Sequence, residues 1–487
     1  MSLLSFIINN WAYILLAIYF MIAVYNCILI VLNRLDPVKT MSWVIIMLLL
    51  PGVGLVLYYF FGQNFRKNKI FSRKELRDIK SIEALSKQQI LQIKTGSWRG
   101  LPYEEKYKNL ITLLINNNKA LLTSSNNVDL FFNGIQTFES MKKAIAEAED
   151  SIHLESYIIE NDKVGNEFKN LLIQKAKEGL EVRVIFDDVG SWSLPKSFIY
   201  PLKKVGVEIY SFSKVFMPWL TSRVNYRNHR KILVVDGKTG FTGGVNIADR
   251  YITGGKFDHW RDTHMRITGE AVNSLQAIFL LDWFFVSKKQ LGQRSRYYPK
   301  NVVNNTCFLQ IASSGPDSDW ASIMQTYFAA IAGAKRRICI TTPYFTPNES
   351  ILSAIKVAAL SGVEVCLIVP DRSDAKITYW GTRSYMSELL EAGVKIYLYK
   401  KGFNHSKVMV IDGEFAAVGS ANMDNRSFEY NFEISALIYD PKIATELETR
   451  FIADTRNSRL VRARWWSKRS NAEKVRESFA RLMSPLL

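Results

Sequence analysis

Cysteine and histidine are scarce in this chain. Four cysteines stand in 487 residues, Cys27, Cys307, Cys339 and Cys366, without a CxxC or any Cys/His metal spacing, so reduced, buried thiols are expected. HExxH, a Walker-type phosphate loop and carboxylate clusters are all missing, so no cofactor, metal or nucleotide, is implied. Acidic residues are outnumbered, 45 against 63 Lys and Arg, and the net +18 pulls toward anionic surfaces, either acidic lipid headgroups or nucleic acid. Charge is absent altogether from Leu3 to Asn33 and from Met41 to Gly62. Each stretch can cross a hydrocarbon core of about 30 Å, so two transmembrane helices are predicted, the second kinked at Pro51 and Gly52. The start MSLLSFIINN has no basic n-region, and no small-residue site ends the apolar run, which argues against a cleaved signal peptide. Between the two stretches only Arg34 and Lys39 are basic, whereas Arg66, Lys67, Lys69, Arg73, Lys74 and Arg77 follow the second. That bias puts both the N-terminus and everything after the second helix in the cytoplasm, in a multi-pass inner-membrane protein.

What is present is a duplicated motif. Asn228 to Arg250 reads NHRKILVVDGKTGFTGGVNIADR and Asn404 to Arg426 reads NHSKVMVIDGEFAAVGSANMDNR, 176 residues apart. Both share one frame, His229, Lys231 and Asp236 in the first copy and His405, Lys407 and Asp412 in the second. Gly243, Gly244 and Asn246 follow in the first, Gly419, Ser420 and Asn422 in the second. Side chains at i and i+2 share a face of an extended strand, so the His and Lys of each copy point together and the copies can converge on one site. The runs Ile232–Val235 and Val408–Ile411, β-branched and closed by Asp-Gly, predict buried strands. A nucleophilic or proton-transferring imidazole beside a fixed cation suits a phosphodiester, whose oxygens need neutralising while one P–O bond is exchanged for another.

Around the motifs the pattern is helix, strand, helix, strand. Phe138–Ala148, Ile152–Ile159, Glu167–Glu178 and Val182–Phe186 are matched by Ser322–Ala334, Ile338–Tyr344, Ser350–Ser361 and Val363–Val369, which predicts an α/β repeat with helices covering a sheet. Residues 1–63 read as a two-helix anchor, 64–117 as a charged connector on the membrane surface, 118–295 as the first half and 296–487 as the second, ending in a basic helix. FMPWL, Phe216 to Leu220, reads as interface-seeking aromatics or as a loop packed on the core. Arg456 to Arg469, with Trp465 and Trp466, reads as an anionic-lipid patch or a solvated helix face. His153, His259 and His264 lack the frame and read as structural.

These residues resemble the HKD signature of the phospholipase D superfamily. The apolar N-terminus, IHLESYII, SSGPDSD and the closing ARLMSPLL look like bacterial cardiolipin synthases within it. The resemblance covers essentially the whole chain. It implies two fused phospholipase D-like repeats sharing one active site, and a metal-free phosphohistidine mechanism. In that mechanism His229 is the nucleophile, His405 the acid and base, and Lys231, Lys407, Asn246 and Asn422 hold phosphate oxygens. Asp236 and Asp412, part of the same catalytic frame, are expected to anchor the strand ends. Because a catalytic His needs a carboxylate on its other nitrogen, Asp262 and Glu433, 33 and 28 residues after the His of their own copy, are expected to orient the imidazoles. The implied function joins two phosphatidylglycerol molecules into cardiolipin and glycerol, with anionic lipids and not nucleic acid as partners. A hydrolytic phospholipase D, or a phosphatidyltransferase using another alcohol, is the alternative.

Overall fold

The computed structural model describes residues 3–32, 37–50, 52–59, 77–95, 104–215, 225–291, 295–301 and 303–484. Two compact units emerge, Met1–Asn68 with Val215–Asn225, and Lys69–Lys214 with Tyr226–Leu487. The aromatic FMPWL stretch lies outside the described residues.

In the first unit a helix runs from Leu3 to Leu32, and Asn10–Leu32 is the one span among the described residues long and apolar enough to cross a membrane. The second apolar stretch departs from the expected single helix. It forms a helix over Pro37–Leu49 and, after a break, a short one over Val53–Leu57. Gly52 takes a positive φ of 75°, outside the helical region, and caps the start of the second of these helices.

The second unit is built on a fifteen-stranded sheet. In chain order its strands, with four short pairing segments outside the sheet (β7, β11, β14 and β17), are β1 (Thr123–Phe131), β2 (Ser151–Ser156), β3 (Glu181–Asp187), β4 (Glu208–Phe212), β5 (Ile232–Val235), β6 (Thr239–Gly243), β7 (Trp260–Arg261), β8 (His264–Gly269) and β9 (Thr306–Ser314). There follow β10 (Arg337–Thr341), β11 (Phe345–Thr346), β12 (Glu364–Pro370), β13 (Lys395–Tyr399), β14 (Phe403–Asn404), β15 (Val408–Ile411), β16 (Phe415–Gly419), β17 (Met423–Asp424), β18 (Glu433–Tyr439) and β19 (Ser458–Leu460). The order is β4-β3-β2-β5-β6-β8-β1, joined edge to edge with β9-β18-β16-β15-β10-β12-β13-β19. Seven strands of each half thus repeat one topology, and the halves meet where β1 pairs antiparallel with β9.

Strand alternation divides the core. Ile232 and Val234 of β5, Val410 of β15 and Ile434, Ala436 and Ile438 of β18 enter one cluster shared by both halves, with Leu275, Phe279, Leu447 and Phe451 of helices Val272–Ser287 and Pro441–Arg456. Leu233 and Val235 face the other way, onto helices Gly134–Ala146 and Lys163–Lys177. Met409 and Ile411 likewise face helices Ser322–Ala332 and Glu349–Leu360. Asn133, Asp162, Asn348 and Asp440 cap four of these helices through side-chain oxygens.

The surface connector expected over 64–117 needs correction. Helix Glu104–Asn118 buries Tyr107, Leu110, Ile111, Leu114 and Ile115 in the core of the second half, and Lys106 reaches Asp412 at 2.6 Å.

Candidate active site

Each motif begins just before a short strand, fully buried in the first copy and buried but for a half-buried Val408 in the second, and each is tied to the opposite half. His229 N donates to Phe432 O at 2.9 Å, and Phe432 N donates to Arg227 O at 2.9 Å. In the second copy β14 pairs in parallel with β7, and His405 N donates to Arg261 O at 2.7 Å. Each histidine is therefore held beside the strand that carries the other half's acid.

The acids are consequently crossed. His405 Nδ1 lies 2.8 Å from Asp262 Oδ2, and His229 Nδ1 lies 3.2 Å from Glu433 Oε1. The expected pairing of each acid with the His of its own copy is corrected, because it is strand pairing between halves, and not proximity in sequence, that brings carboxylate to imidazole. Both acid side chains are fully buried, whereas the imidazoles of His229 and His405 keep 19% and 14% of their surface exposed. Within each pair it is the imidazole, not the carboxylate, that can meet a substrate. With Nδ1–H donated to a carboxylate, the Nε2 lone pair is left for chemistry.

The acids are themselves fixed. Asp262 Oδ1 accepts from Thr263 N at 2.8 Å, and Gly244 leaves it room, since a Cβ there would stand 2.0 Å from that oxygen. At the matching position of the second copy, the Ser420 hydroxyl donates to Glu433 Oε2, and Asn431 Nδ2 donates to Glu433 Oε1 at 3.2 Å. Asn431 Nδ2 also stands 3.3 Å from His229 Nδ1, and Lys407 Nζ stands 3.0 Å from His405 Nδ1. The carboxylates approach these nitrogens more closely and carry the charge, so they take the Nδ1 protons, while Lys407 Nζ donates to His405 O at 2.5 Å. Lys231 Nζ similarly donates to His229 O at 2.7 Å.

Burial dominates the electrostatics. It drives Lys231 and Lys407 down to about 8, against the attraction of Glu433 and Asp262, and Lys407 depresses Lys231 further. The two lysines thus feel one another, as converging copies should. Burial and Lys407 push His405 down to about 4 although Asp262 opposes them, and burial lowers His229 against Glu433. Two neutral imidazoles beside poised cations make a site that is incomplete until an anion arrives.

Asp236 and Asp412 are not brought to this site. Asp236 accepts from the backbone N–H groups of Glu149, Asp150 and Ser151, and Asp412 from those of Lys335, Arg336 and Arg337, so each ties its motif strand to the start of the neighbouring one, β2 or β10. Five residues of extended chain separate Asp236 from Lys231, roughly 16 Å at about 3.3 Å each. Asn246 donates to Tyr251 Oη at 2.5 Å and accepts from Ile158 N at 3.2 Å, leaving one amide proton, and Asn422 is buried beside Asp424. Tyr157, within the quoted IHLESYII, was not singled out from sequence, yet its ring centroid lies 4.0 Å from that of His229. Asn431 was missed as well, and Ser420 was read only as a small residue of the motif; the signal available was their nearness in sequence to Glu433 and to the motif glycine. His153 is structural, stacked on Phe279 at 4.7 Å and bonded to Gln276.

The family model described as cardiolipin synthase, phospholipase D-like domain, matches residues 141–283 and 327–455, and a phospholipase D-nuclease N-terminal model matches 15–63. A cardiolipin synthase of Halalkalibacterium halodurans is 42% identical over 464 residues, 94% of this chain and 91% of that one. The chain belongs to the bacterial cardiolipin synthase family of the phospholipase D superfamily. The major cardiolipin synthase of Bacillus subtilis is 38% identical over 97% of this chain and 98% of its own. Among solved structures, a phosphatidylserine synthase of Haemophilus influenzae superposes over 78% of this chain and all of its own with a TM-score of 0.59 at 14% identity, which attests the shared fold. In this cardiolipin synthase family chain the two matched segments each hold one motif and one acid, His229 with Asp262 and His405 with Glu433, so the crossed pairs join the segments.

Proposed function

We propose that the chain is a cardiolipin synthase, transferring the phosphatidyl group of one phosphatidylglycerol to a second and releasing glycerol. The observation that carries this reading is the two crossed histidine–carboxylate pairs beside two buried lysines, in a chain whose full-length relatives are cardiolipin synthases.

We assign His229 as nucleophile on the resemblance. The charge of the bound donor phosphate first draws a solvent proton onto His405 Nε2; His229 Nε2 then bonds to phosphorus as the P–O bond to the glycerol headgroup breaks, and the leaving oxygen takes that proton. His405, now neutral, removes the proton from a headgroup hydroxyl of the second phosphatidylglycerol. That oxygen bonds to phosphorus as the P–N bond breaks, which restores His229. The donor phosphate is itself the anion the site lacks, and its charge raises the proton affinity of His405 and of both lysines. Lys231 and Lys407 neutralise its non-bridging oxygens, and Asn246 and Asn422 add amide donors. Asp262 and Glu433 are positioning residues for the imidazoles. Donor and product are both phosphodiesters, so the exchange runs without ATP or CTP.

We read the N-terminal unit as two membrane passes, Leu3–Leu32 and the broken pair Pro37–Leu49 and Val53–Leu57, with the catalytic body cytoplasmic on the positive-inside bias. The halves are assigned as 118–295 and 296–487, with 104–117 joined to the catalytic body. In a His405→Ala variant, phosphate-labelled phosphatidylglycerol should leave acid-labile label on His229. Label found instead on His405 of a His229→Ala variant reverses the direction.

A further inference from the structure

The chain from Ser458 to Leu487 carries eight Lys and Arg but only two acids, Glu473 and Glu477. Both acids are spent within the protein. Glu473 closes a capping box with Ser470, and Glu477, buried, accepts from Arg469 at 2.9 Å. Helix Asn471–Leu482 turns its apolar residues the other way: Val475, Phe479 and Leu482, spaced i, i+4 and i+7, are 68%, 65% and 78% exposed. At about 100° per residue, Lys474 and Arg481 fall on one flank of this stripe and Arg476 on the other. Arg476 lies over the ring of Trp380 at 5.5 Å, and Arg481 lies over Tyr385 at 4.4 Å and pairs with Glu388, so both flanks are held to the body.

A helix packed on a soluble body turns its apolar stripe inward. This one faces outward, with cations at its edges and its acids underneath, in a chain that carries a membrane-length apolar helix. We propose that helix Asn471–Leu482 is an in-plane docking surface for an anionic bilayer, with Val475, Phe479 and Leu482 entering the headgroup–acyl boundary and Lys474 meeting lipid phosphates. Exposed Trp465, with Arg459 stacked over it at 4.3 Å, supplies a further interfacial pair on the preceding turn.

The test uses the full-length protein with Ser478→Cys carrying a membrane-impermeant, environment-sensitive dye, reconstituted into vesicles with or without phosphatidylglycerol in a phosphatidylcholine background. Emission should shift to the blue and be quenched by brominated acyl chains in the anionic vesicles, less in the neutral ones. The Val475→Ser, Phe479→Ser, Leu482→Ser triple variant should lose both effects, and Phe479→Ser alone should lose most of the quenching. Aqueous emission without quenching in both membranes overturns the proposal. So does lipid-independent shielding that grows with protein concentration in detergent, which would assign the stripe to a second copy of the chain.

Discussion

Replacing Asp262 with Asn tests the crossed pairing at its most sensitive point. The Thr263 N–H holds Oδ1 and the His405 imidazole holds Oδ2. In the asparagine the carbonyl oxygen stays with the Thr263 donor, and the NH2 group is left facing His405 Nδ1. An amide there donates, so the ring must move its proton to Nε2, and the nitrogen that should accept the alcohol proton no longer can. Loss of a buried charge-assisted bond costs roughly 1.5–3 kcal/mol, or about ten- to a hundred-and-fifty-fold in rate. The same exchange in a serine-protease triad, wrong tautomer included, costs about 10⁴ in kcat. Asp262→Asn is therefore expected to lower kcat by about 10² to 10⁴ with little change in KM, because the carboxylate is out of reach of lipid. Crossing is read separately, by mapping acylation of the histidines with diethyl pyrocarbonate. The rate at His405 should change and that at His229 should not. A changed His229 with an unchanged His405 would restore pairing within each copy, and wild-type turnover would remove Asp262 from the mechanism.

Three further outcomes follow from the same geometry. Gly244→Ala should reduce activity by about 10² or more, since the new Cβ would displace Asp262 from His405; near-normal activity would show that the carboxylate is free to shift. Because His405 must take up a proton and both lysines must be cations, and burial holds His405 at about 4 and each lysine at about 8 in the free protein, kcat/KM should fall with pH across the neutral range and fall more steeply above pH 8, measured on phosphatidylglycerol in mixed micelles. A profile flat to pH 10 contradicts this. Asp236→Ala should lower the thermal midpoint by removing an acceptor for three backbone N–H groups, a loss of about 2–4 kcal/mol, while the folded fraction keeps its turnover within about two-fold; loss of turnover without loss of stability would return Asp236 to the chemistry.

Much of this was legible in the sequence where the physics is local. The β-branched runs before Asp-Gly gave β5 and β15 at their observed bounds, and the repeated helix–strand order gave the two halves. What escaped depended on contacts far apart in the chain. The crossing of Asp262 onto His405 is made by the two-residue pairing of β7 with β14, too short for any periodicity to announce. Helix Glu104–Asn118 did carry a readable stripe at 107, 110, 111, 114 and 115, but Lys106, Lys108 and Asn116 to Asn118 around it made the segment look like solvated surface. In the second apolar stretch, composition predicted one span, whereas the structure has two shorter helices, the second starting after Gly52 at its positive φ.

The most direct measurement is the product of one incubation. Purified protein in mixed micelles with phosphatidylglycerol alone, without nucleotide, should yield cardiolipin and free glycerol by thin-layer chromatography, and added glycerol should drive the reaction back. Phosphatidic acid as the main product would make water the acceptor and the chain a lipase. Cleavage of single-stranded DNA with no lipid product would contradict phosphatidyl transfer altogether.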